Sequence, residues 1–347
     1  MFNALLAYFF IPFVPFFLYG GFFADAEIQL PGARNTMIIN RVLGEENKKP
    51  EDKNKTENFR SCNLFPTDFP ASEYMPVRKK GYYDLKVWAG SSVAIDVDSG
   101  TILHYENGRK KTQIASLTKI MTAILAVEKI KDLKSEEIVV TREALLVPGT
   151  VVGCPRSGYC VSNRMYAGEK LKAVDLMKAM LLNSANDAAT AIGVHIAGST
   201  ENFSKMMNDR AKELGLKDTN FCTPSGLEID GQEDQCYSTA YDIARIASLS
   251  LQYKDIWNIM KIPEEQIYSI DGKYMHQLKN TDILLDDMPN CLGGKTGFTP
   301  LAGKSLLLGA TDSSGKHRII AVVLNDENRW EDMKTLIGWV FDNYEWR

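Results

Sequence analysis

The chain has 347 residues, 45% apolar, 24% charged and 10% aromatic, which supplies material for a full core and excludes collagen, coiled coil and wholesale disorder. Lys and Arg number 40 against 44 Asp and Glu, a net charge of −4, so there is no general basic footprint and no nucleic-acid partner is expected. The histidines, at 104, 195, 276 and 317, lack the H-E-x-x-H or C-x-x-C companions of a zinc site, and neither a metal nor another cofactor is expected.

Residues 4–23 carry no charge, over a length close to the ~20 residues a helix needs to cross hydrocarbon. Pro12 and Pro15 within the run argue against a buried core helix. Ala24-Asp25-Ala26 fits the A-x-A cleavage pattern, while Met1-Phe2-Asn3 lacks the usual Lys or Arg and the apolar run is long for a leader. Residues 1–26 therefore read as a signal peptide or as a retained membrane anchor. Either reading exports the rest of the chain and leaves the N-terminal segment as its route to a membrane.

Six cysteines fit an oxidising destination. Cys154 with Cys160 and Cys222 with Cys236 bracket short segments and are the expected bridges, leaving Cys62 and Cys291 to each other or free. Spacing alone does not fix connectivity, and six reduced thiols are the alternative.

Gly44 to Asn58 offers almost nothing to bury, so residues 27–81 are expected to form an extension and linker, partly disordered. From about Tyr82 the texture changes. Ser92–Val97 and Thr101–Tyr105 flank Asp98-Ser99-Gly100 as a β-hairpin; Lys304–Ala310 and Arg318–Leu324 flank Asp312–Gly315 as a second, followed by a helical stretch from Trp330 to Tyr344. Between them Ile120–Ile130, Leu171–Asn183 and Glu201–Leu214 show helical apolar faces. Strands at both ends with helices between predict an α+β domain over 82–347, its antiparallel sheet formed by N- and C-terminal hairpins, with helices packed on it and a mostly helical insertion.

Three short motifs carry chemistry. Ser116-Leu117-Thr118-Lys119 opens the most apolar internal helix and sets a hydroxyl and an amine about one turn apart, a nucleophile and its base if the lysine loses its proton. Ser313–Lys316 matches the same S-x-x-K spacing in a turn, and a capped helix with a solvated lysine is the bland alternative. Ser184-Ala185-Asn186 closes an apolar helix and could offer a hydroxyl to that lysine and a side-chain dipole to a carbonyl, although Ser61-Cys62-Asn63 repeats the pattern and a polar turn would look the same. Lys295-Thr296-Gly297-Phe298 begins a strand after Gly293-Gly294. A lysine beside a hydroxyl, then a glycine that admits a ligand to the backbone, suits a carboxylate; a glycine-rich turn into an edge strand is the alternative.

S-x-x-K, S-x-N and K-T-G in that order resemble the motif set of penicillin-binding proteins and serine β-lactamases. Over residues 82–347 the chain is similar to the D-alanyl-D-alanine carboxypeptidases. Ser184-Ala-Asn-Asp-Ala-Ala, Thr223-Pro-Ser-Gly-Leu and Tyr237-Ser-Thr-Ala-Tyr-Asp support the resemblance, as does Lys279-Asn-Thr-Asp-Ile-Leu-Leu, where Asp282 replaces an Asn of the family's N-T-N-x-L-L. The resemblance implies a β-lactamase/transpeptidase-like fold and a serine peptidase that removes the terminal D-alanine from peptidoglycan stem peptides ending in D-Ala-D-Ala. By that resemblance Ser116, Lys119 and Ser184 are catalytic: Ser116 attacks, Lys119 takes its proton, and Ser184 relays it to the departing D-alanine. Asn186 holds the substrate amide, Lys295 and Thr296 bind the carboxylate beside Gly297, and the backbone N–H groups of Ser116 and Phe298 form the oxyanion hole. It further implies acylation by β-lactam antibiotics and a location on the periplasmic or cell-wall side.

Two departures accompany the resemblance. A β-rich second domain and a C-terminal amphipathic anchor, frequent in such enzymes, are not evident, and Val147–Gly168 is an elaboration expected to border the groove or to form a stapled surface loop. The rival readings are a serine β-lactamase, which the missing E-x-x-L-N disfavours, a non-catalytic peptidoglycan-binding module, and a Ser-His-Asp hydrolase using His195, which sits in a small-residue helical run.

Overall fold

The computed structural model describes residues 74–80, 83–155 and 159–347. The expected signal peptide or anchor, most of the linker, and Cys62 lie outside them. Among the described residues no helix is long and apolar enough to cross a membrane.

The strands in chain order are β1 Pro76–Arg78, β2 Ser91–Asp96, β3 Ile102–Glu106, β4 Glu137–Val139, β5 Lys170–Lys172, β6 Glu264–Tyr268, β7 Met275–Lys279, β8 Cys291–Thr299, β9 Gly303–Thr311, β10 Arg318–Leu324 and β11 Tyr344–Trp346. The longer helices are α1 Lys119–Lys129, α2 Ala173–Leu181, α3 Asn186–Ala197, α4 Thr200–Glu213, α5 Ala240–Ser250, α6 Lys254–Met260 and α7 Arg329–Asn343.

Five strands form one antiparallel sheet in the order β3-β2-β10-β9-β8. The two expected hairpins supply four of its strands, joined where β2 pairs with β10, Val93 opposite Val322, and β8 adds the fifth on the far side of β9. Because side chains alternate across a strand, the sheet feeds two cores. Val93, Ile95, Leu307, Ile320 and Val322 meet the helical layer, whereas Ala94, Leu306, Leu308, Ile319, Ala321 and Val323 meet Met333, Leu336, Ile337 and Val340 of α7. Burial on both faces is why these strands read as continuous apolar runs rather than as alternation.

Helix α1 runs through the middle of the helical layer, its residues 119–126 all buried. A helix apolar on nearly every side belongs inside a protein, and here it carries Lys119 into the core together with Thr122, whose hydroxyl donates to Pro224 O. Both expected bridges are present, Cys154–Cys160 and Cys222–Cys236, and Cys291 is a free thiol.

Three details differ from the sequence reading. Strand β8 starts at Cys291, so Lys295 sits mid-strand and not at a strand's beginning, although β8 is a sheet edge as read. The Ser116 segment is a 3-10 turn, Ala115–Thr118, ahead of α1. One strand, β1, precedes the expected boundary at residue 82 and pairs with β11.

Candidate active site

The turn bearing Ser116 is set by its neighbours. Ala115 has φ +48°, a left-handed conformation that costs a non-glycine residue energy and persists only where packing enforces it. Gly226 enforces it from one side: its φ is +82°, and a Cβ there would lie 1.9 Å from Ala115 O. Gly297 of β8 closes from the other, where a Cβ would lie 2.9 Å from Ile114 O. Two glycines thus let a loop and a strand approach the backbone just before the serine.

Lys119 Nζ lies 2.8 Å from Ser116 Oγ, 2.8 Å from Asn186 Oδ1 and 2.7 Å from Ser225 O. The side chain is wholly buried, and that burial, then the charge of Lys295, holds its amine well below the usual lysine range, against an upward pull from Asp187. A neutral amine has two N–H groups and one lone pair. Asn186 Oδ1 and Ser225 O can only accept, so they take the two N–H groups and leave the lone pair for the Ser116 hydroxyl. Asn186 is oriented by its Nδ2, which donates to Pro148 O at 2.8 Å.

Ser184 occupies the bend between α2 and α3 with φ +58°. Its Oγ accepts from Lys295 Nζ at 3.0 Å, and the same ammonium donates to Thr296 O at 3.1 Å. Burial, then the nearby Arg329, brings Lys295 down to about 7, while Asp282 pulls it up. Thr296 Oγ1 pairs with Thr281 Oγ1 at 2.7 Å. Phe298 follows on β8 with its side chain half exposed. All three motifs therefore converge on one cleft between β8, α1 and the α2–α3 bend.

Several contributors carry no motif. Arg329, at the start of α7, donates from Nη1 to Gly297 O at 3.0 Å and to Ser305 O at 3.2 Å, bracing β8 from behind with a fixed positive charge. Asp187 accepts from Val152 N through both oxygens, at 3.0 and 3.1 Å, and burial lifts its carboxyl to about 6. Asn186 N donates to Thr150 O at 2.7 Å, so the start of the 147–168 elaboration lies directly on the S-x-N segment. Ser225 and Gly226 come from the loop bridged by Cys222–Cys236. Asp187, Ser225 and Gly226 lie in segments that support the family resemblance, but their partners are brought to them by long-range folding and no local spacing announces those contacts.

None of the histidines serves Ser116. His195 pairs with Glu136 at 3.0 Å, His276 with Glu169 at 2.8 Å, His104 with Ser92 at 2.8 Å, and His317 stacks on Trp346. The second S-x-x-K match, Ser313–Lys316, lies in the β9–β10 turn, where the neighbouring Ser314 Oγ and the Lys316 backbone N bond Asp312. Among the described residues no three His, Cys, Asp or Glu side chains gather as metal ligands.

Serine and lysine in contact at the foot of a helical layer, facing a K-T-G edge strand, define a penicillin-binding type of α+β fold. A solved D-alanyl-D-alanine carboxypeptidase from Mycobacterium tuberculosis H37Rv superposes with TM-score 0.67 at 26% identity, covering 76% of this chain and 95% of that one. Penicillin-binding protein D2 from Listeria monocytogenes, solved with ampicillin bound, gives 0.62 at 29%, covering 75% and 100%. The family model for D-alanyl-D-alanine carboxypeptidase matches residues 78–328, and the chain belongs to that family. The D-alanyl-D-alanine carboxypeptidase DacF of Bacillus subtilis is 33% identical over 264 residues, 74% of this chain and 63% of that protein. The match thus spans somewhat less than two thirds of that relative's length.

Proposed function

We propose that the protein is a serine D-Ala-D-Ala carboxypeptidase that trims the terminal D-alanine from peptidoglycan stem peptides. The observation that carries this reading is the Lys119 amine, placed 2.8 Å from Ser116 Oγ with both of its N–H groups engaged elsewhere. The Ser116 hydroxyl passes its proton to Lys119 as Oγ bonds the penultimate D-alanine carbonyl carbon. Backbone N–H groups of Ser116 and Phe298 receive the developing oxyanion. The C–N bond then breaks, and the proton travels from Lys119 through Ser184 to the departing D-alanine amine. Water attacks the Ser116 ester and releases the shortened peptide.

Asn186 keeps a second Nδ2 hydrogen beyond the one given to Pro148, and this one donates to the substrate amide. Lys295 and Thr296 hold the terminal carboxylate beside Gly297, with the permanent charge of Arg329 behind them. A β-lactam presents the same acyl carbonyl and carboxylate and acylates Ser116 by the same route. The enzyme works outside the cytoplasm, on the cell-wall side, with residues 1–26 as its export signal or tether.

Intact mass after exposure to labelled penicillin, and D-alanine release from a D-Ala-D-Ala peptide, test the reading. One acyl adduct and D-alanine release are expected, both absent in Ser116→Ala. Label surviving that substitution refutes the nucleophile, and rapid shedding of opened penicillin marks a β-lactamase instead.

A further inference from the structure

The 147–168 elaboration rests on a buried pair that lies outside all three motifs. His276 of β7 and Glu169, the residue ahead of β5, are both fully buried, and His276 Nε2 lies 2.8 Å from Glu169 Oε1. His276 Nδ1 lies 2.7 Å from Asn163 O, and Glu169 Oε2 accepts from Tyr166 N at 3.1 Å. Beside them Gln277 N donates to Ser162 Oγ at 3.0 Å. The outer arm of the elaboration is thus tied down at Ser162, Asn163 and Tyr166.

That arm seats the inner one. Val161 N and Ser162 N both donate to Gly153 O, at 2.8 and 3.3 Å, and Cys160 is bridged to Cys154. Gly153 has φ +74°, and a Cβ there would lie 2.2 Å from Asn163 O, the carbonyl that His276 bonds. From Gly153 the inner arm runs back along the S-x-N segment. Val152 N reaches Asp187, Val151 O accepts from Asn183 Nδ2 at 3.2 Å, and Thr150 O and Pro148 O accept from Asn186 N and Nδ2. Asn186 in turn bonds Lys119, so a run of printed contacts and chain joins His276 to the reacting amine.

The geometry fixes where the protons sit. A carbonyl accepts only, so His276 Nδ1 carries an N–H toward Asn163 O. Glu169 Oε2 is already an acceptor, so the contact between Oε1 and Nε2 requires one further proton. The pair therefore holds one proton more than a neutral imidazole beside a carboxylate. Burial pulls the ring's pKa down, but the Glu169 bond, the Asn163 carbonyl and the charges of Glu169 and Asp187 together hold it above the ordinary histidine value. Farther out stand Arg164 beside Asp187, and Asp271, Tyr274 and Lys273 around Tyr166. Once the shared proton leaves, an Nε2 lone pair faces a carboxylate in a dry site, and a buried charge is left uncompensated.

We propose that His276 and Glu169 are positioning residues, a proton-held latch that seats the elaboration and through it aims Asn186 at Lys119, and that the latch loosens as it loses its proton at alkaline pH. Because the folded pKa of the ring lies above its free value of 6.5, the hold is complete below that value and is lost as pH rises through the raised one. The catalytic part of the inference rests on the carboxypeptidase reading above.

The test is Glu169→Gln. Glutamine keeps both bonds with a neutral ring, its Oε1 taking Tyr166 N and its Nε2 donating to the bare His276 Nε2, so the latch no longer needs the shared proton. Hydrogen exchange of the Val152, Val161 and Tyr166 amides, corrected for its intrinsic rise with pH, should lose about tenfold in protection in the wild type between about pH 6 and 9, and should hold steady in Glu169→Gln. The ratio of penicillin acylation rates, variant over wild type, should rise by about tenfold over the same range, since titration of Lys119 and Lys295 is common to both proteins. Glu169→Met with His276→Phe fills the space without the bonds; folded, it should acylate about 10–100-fold more slowly than wild type at neutral pH. A flat ratio overturns the proposal, as does an identical pH course of exchange in wild type and Glu169→Gln, or wild-type acylation by the apolar pair. Wild-type protein that takes up no penicillin overturns the carboxypeptidase reading instead, and exchange still reads the latch.

Discussion

Lys119 and Lys295 are two amines kept in a dry cleft at the limit of their ability to hold a proton. Each has a folded pKa below its free value, so between the two values the unfolded chain binds more protons and stability rises with pH. For Lys295 that window runs from about 7 to 10.5. Urea unfolding of wild type should therefore show, across that window, an added slope of up to about 1.4 kcal/mol per pH unit that Lys295→Met lacks. Equal slopes would mean that Lys295 keeps its proton throughout. Lys119→Arg retains a cation but has no lone pair to offer, and acylation by penicillin should slow by about 10²–10⁴-fold, read as adduct formation over time. At this scale the three motifs marked Ser116, Lys119, Ser184, Asn186, Lys295 and Thr296 as candidates, each weak alone, and it was their order and the family resemblance that implied roles for them. Arg329 was not legible, and although Asp187 and Ser225 lie in segments that support the resemblance, their contacts were not: each has its partner many residues away, and a backbone carbonyl leaves no signature in a side-chain pattern.

The elements that hold these groups differ in how openly the sequence declares them. The hairpins β2–β3 and β9–β10 and the helices α1, α2, α4 and α7 follow from apolar period and turn chemistry, because their burial is decided by their own pattern. The loop between Cys222 and Cys236 reads as a bridged segment whose Thr223-Pro-Ser-Gly-Leu supports the family resemblance without saying what it touches. Its work is to carry Ser225 O to Lys119 and to press Gly226 on Ala115, which depends on where the loop is laid and not on its composition. Gly226→Ala places a methyl group against Ala115 O at a left-handed backbone position. It should cost about 3 kcal/mol in chemical unfolding and slow penicillin acylation together, because the same contact shapes the Ser116 turn. A variant with normal stability and normal acylation would show that the loop is free to retreat.

At the scale of the described molecule, pieces from the two ends of the described chain form a separate two-stranded sheet that is tied to the five-stranded one by side-chain bonds. Strand β1 pairs with β11, Tyr344 OH donates to Leu103 O at 2.8 Å, and Trp346 Nε1 donates to Asp96 Oδ1 at 2.8 Å. The sheet's composition from N- and C-terminal hairpins was legible as strands at both ends of the domain. The short β1–β11 clasp was not, since three residues are too few to show a period. Burial raises the Asp96 carboxyl above its ordinary value, and the Trp346 bond opposes that rise. Trp346→Phe removes a donor that serves the ionised form. Its destabilisation should be larger at neutral pH than below the carboxyl's titration, about 1–3 kcal/mol at pH 7 by denaturant melts. A pH-independent loss would assign the effect to packing alone.

Ala115, which precedes Ser116, and Ser184, which carries a cleft hydroxyl of its own, are left-handed non-glycine residues, and they have a consequence for any attempt to make the protein hardier. Glycine at 115 relieves the left-handed strain but frees the backbone that now aims the Ser116 oxygen, whereas glycine at 184 relieves the same strain and also deletes the hydroxyl itself. Selection for heat tolerance alone would have reason to relax these two positions, and selection for turnover would have reason to restore them. A library carried through both regimes should therefore drift in opposite directions at 115 and 184 while the rest of the cleft stays put.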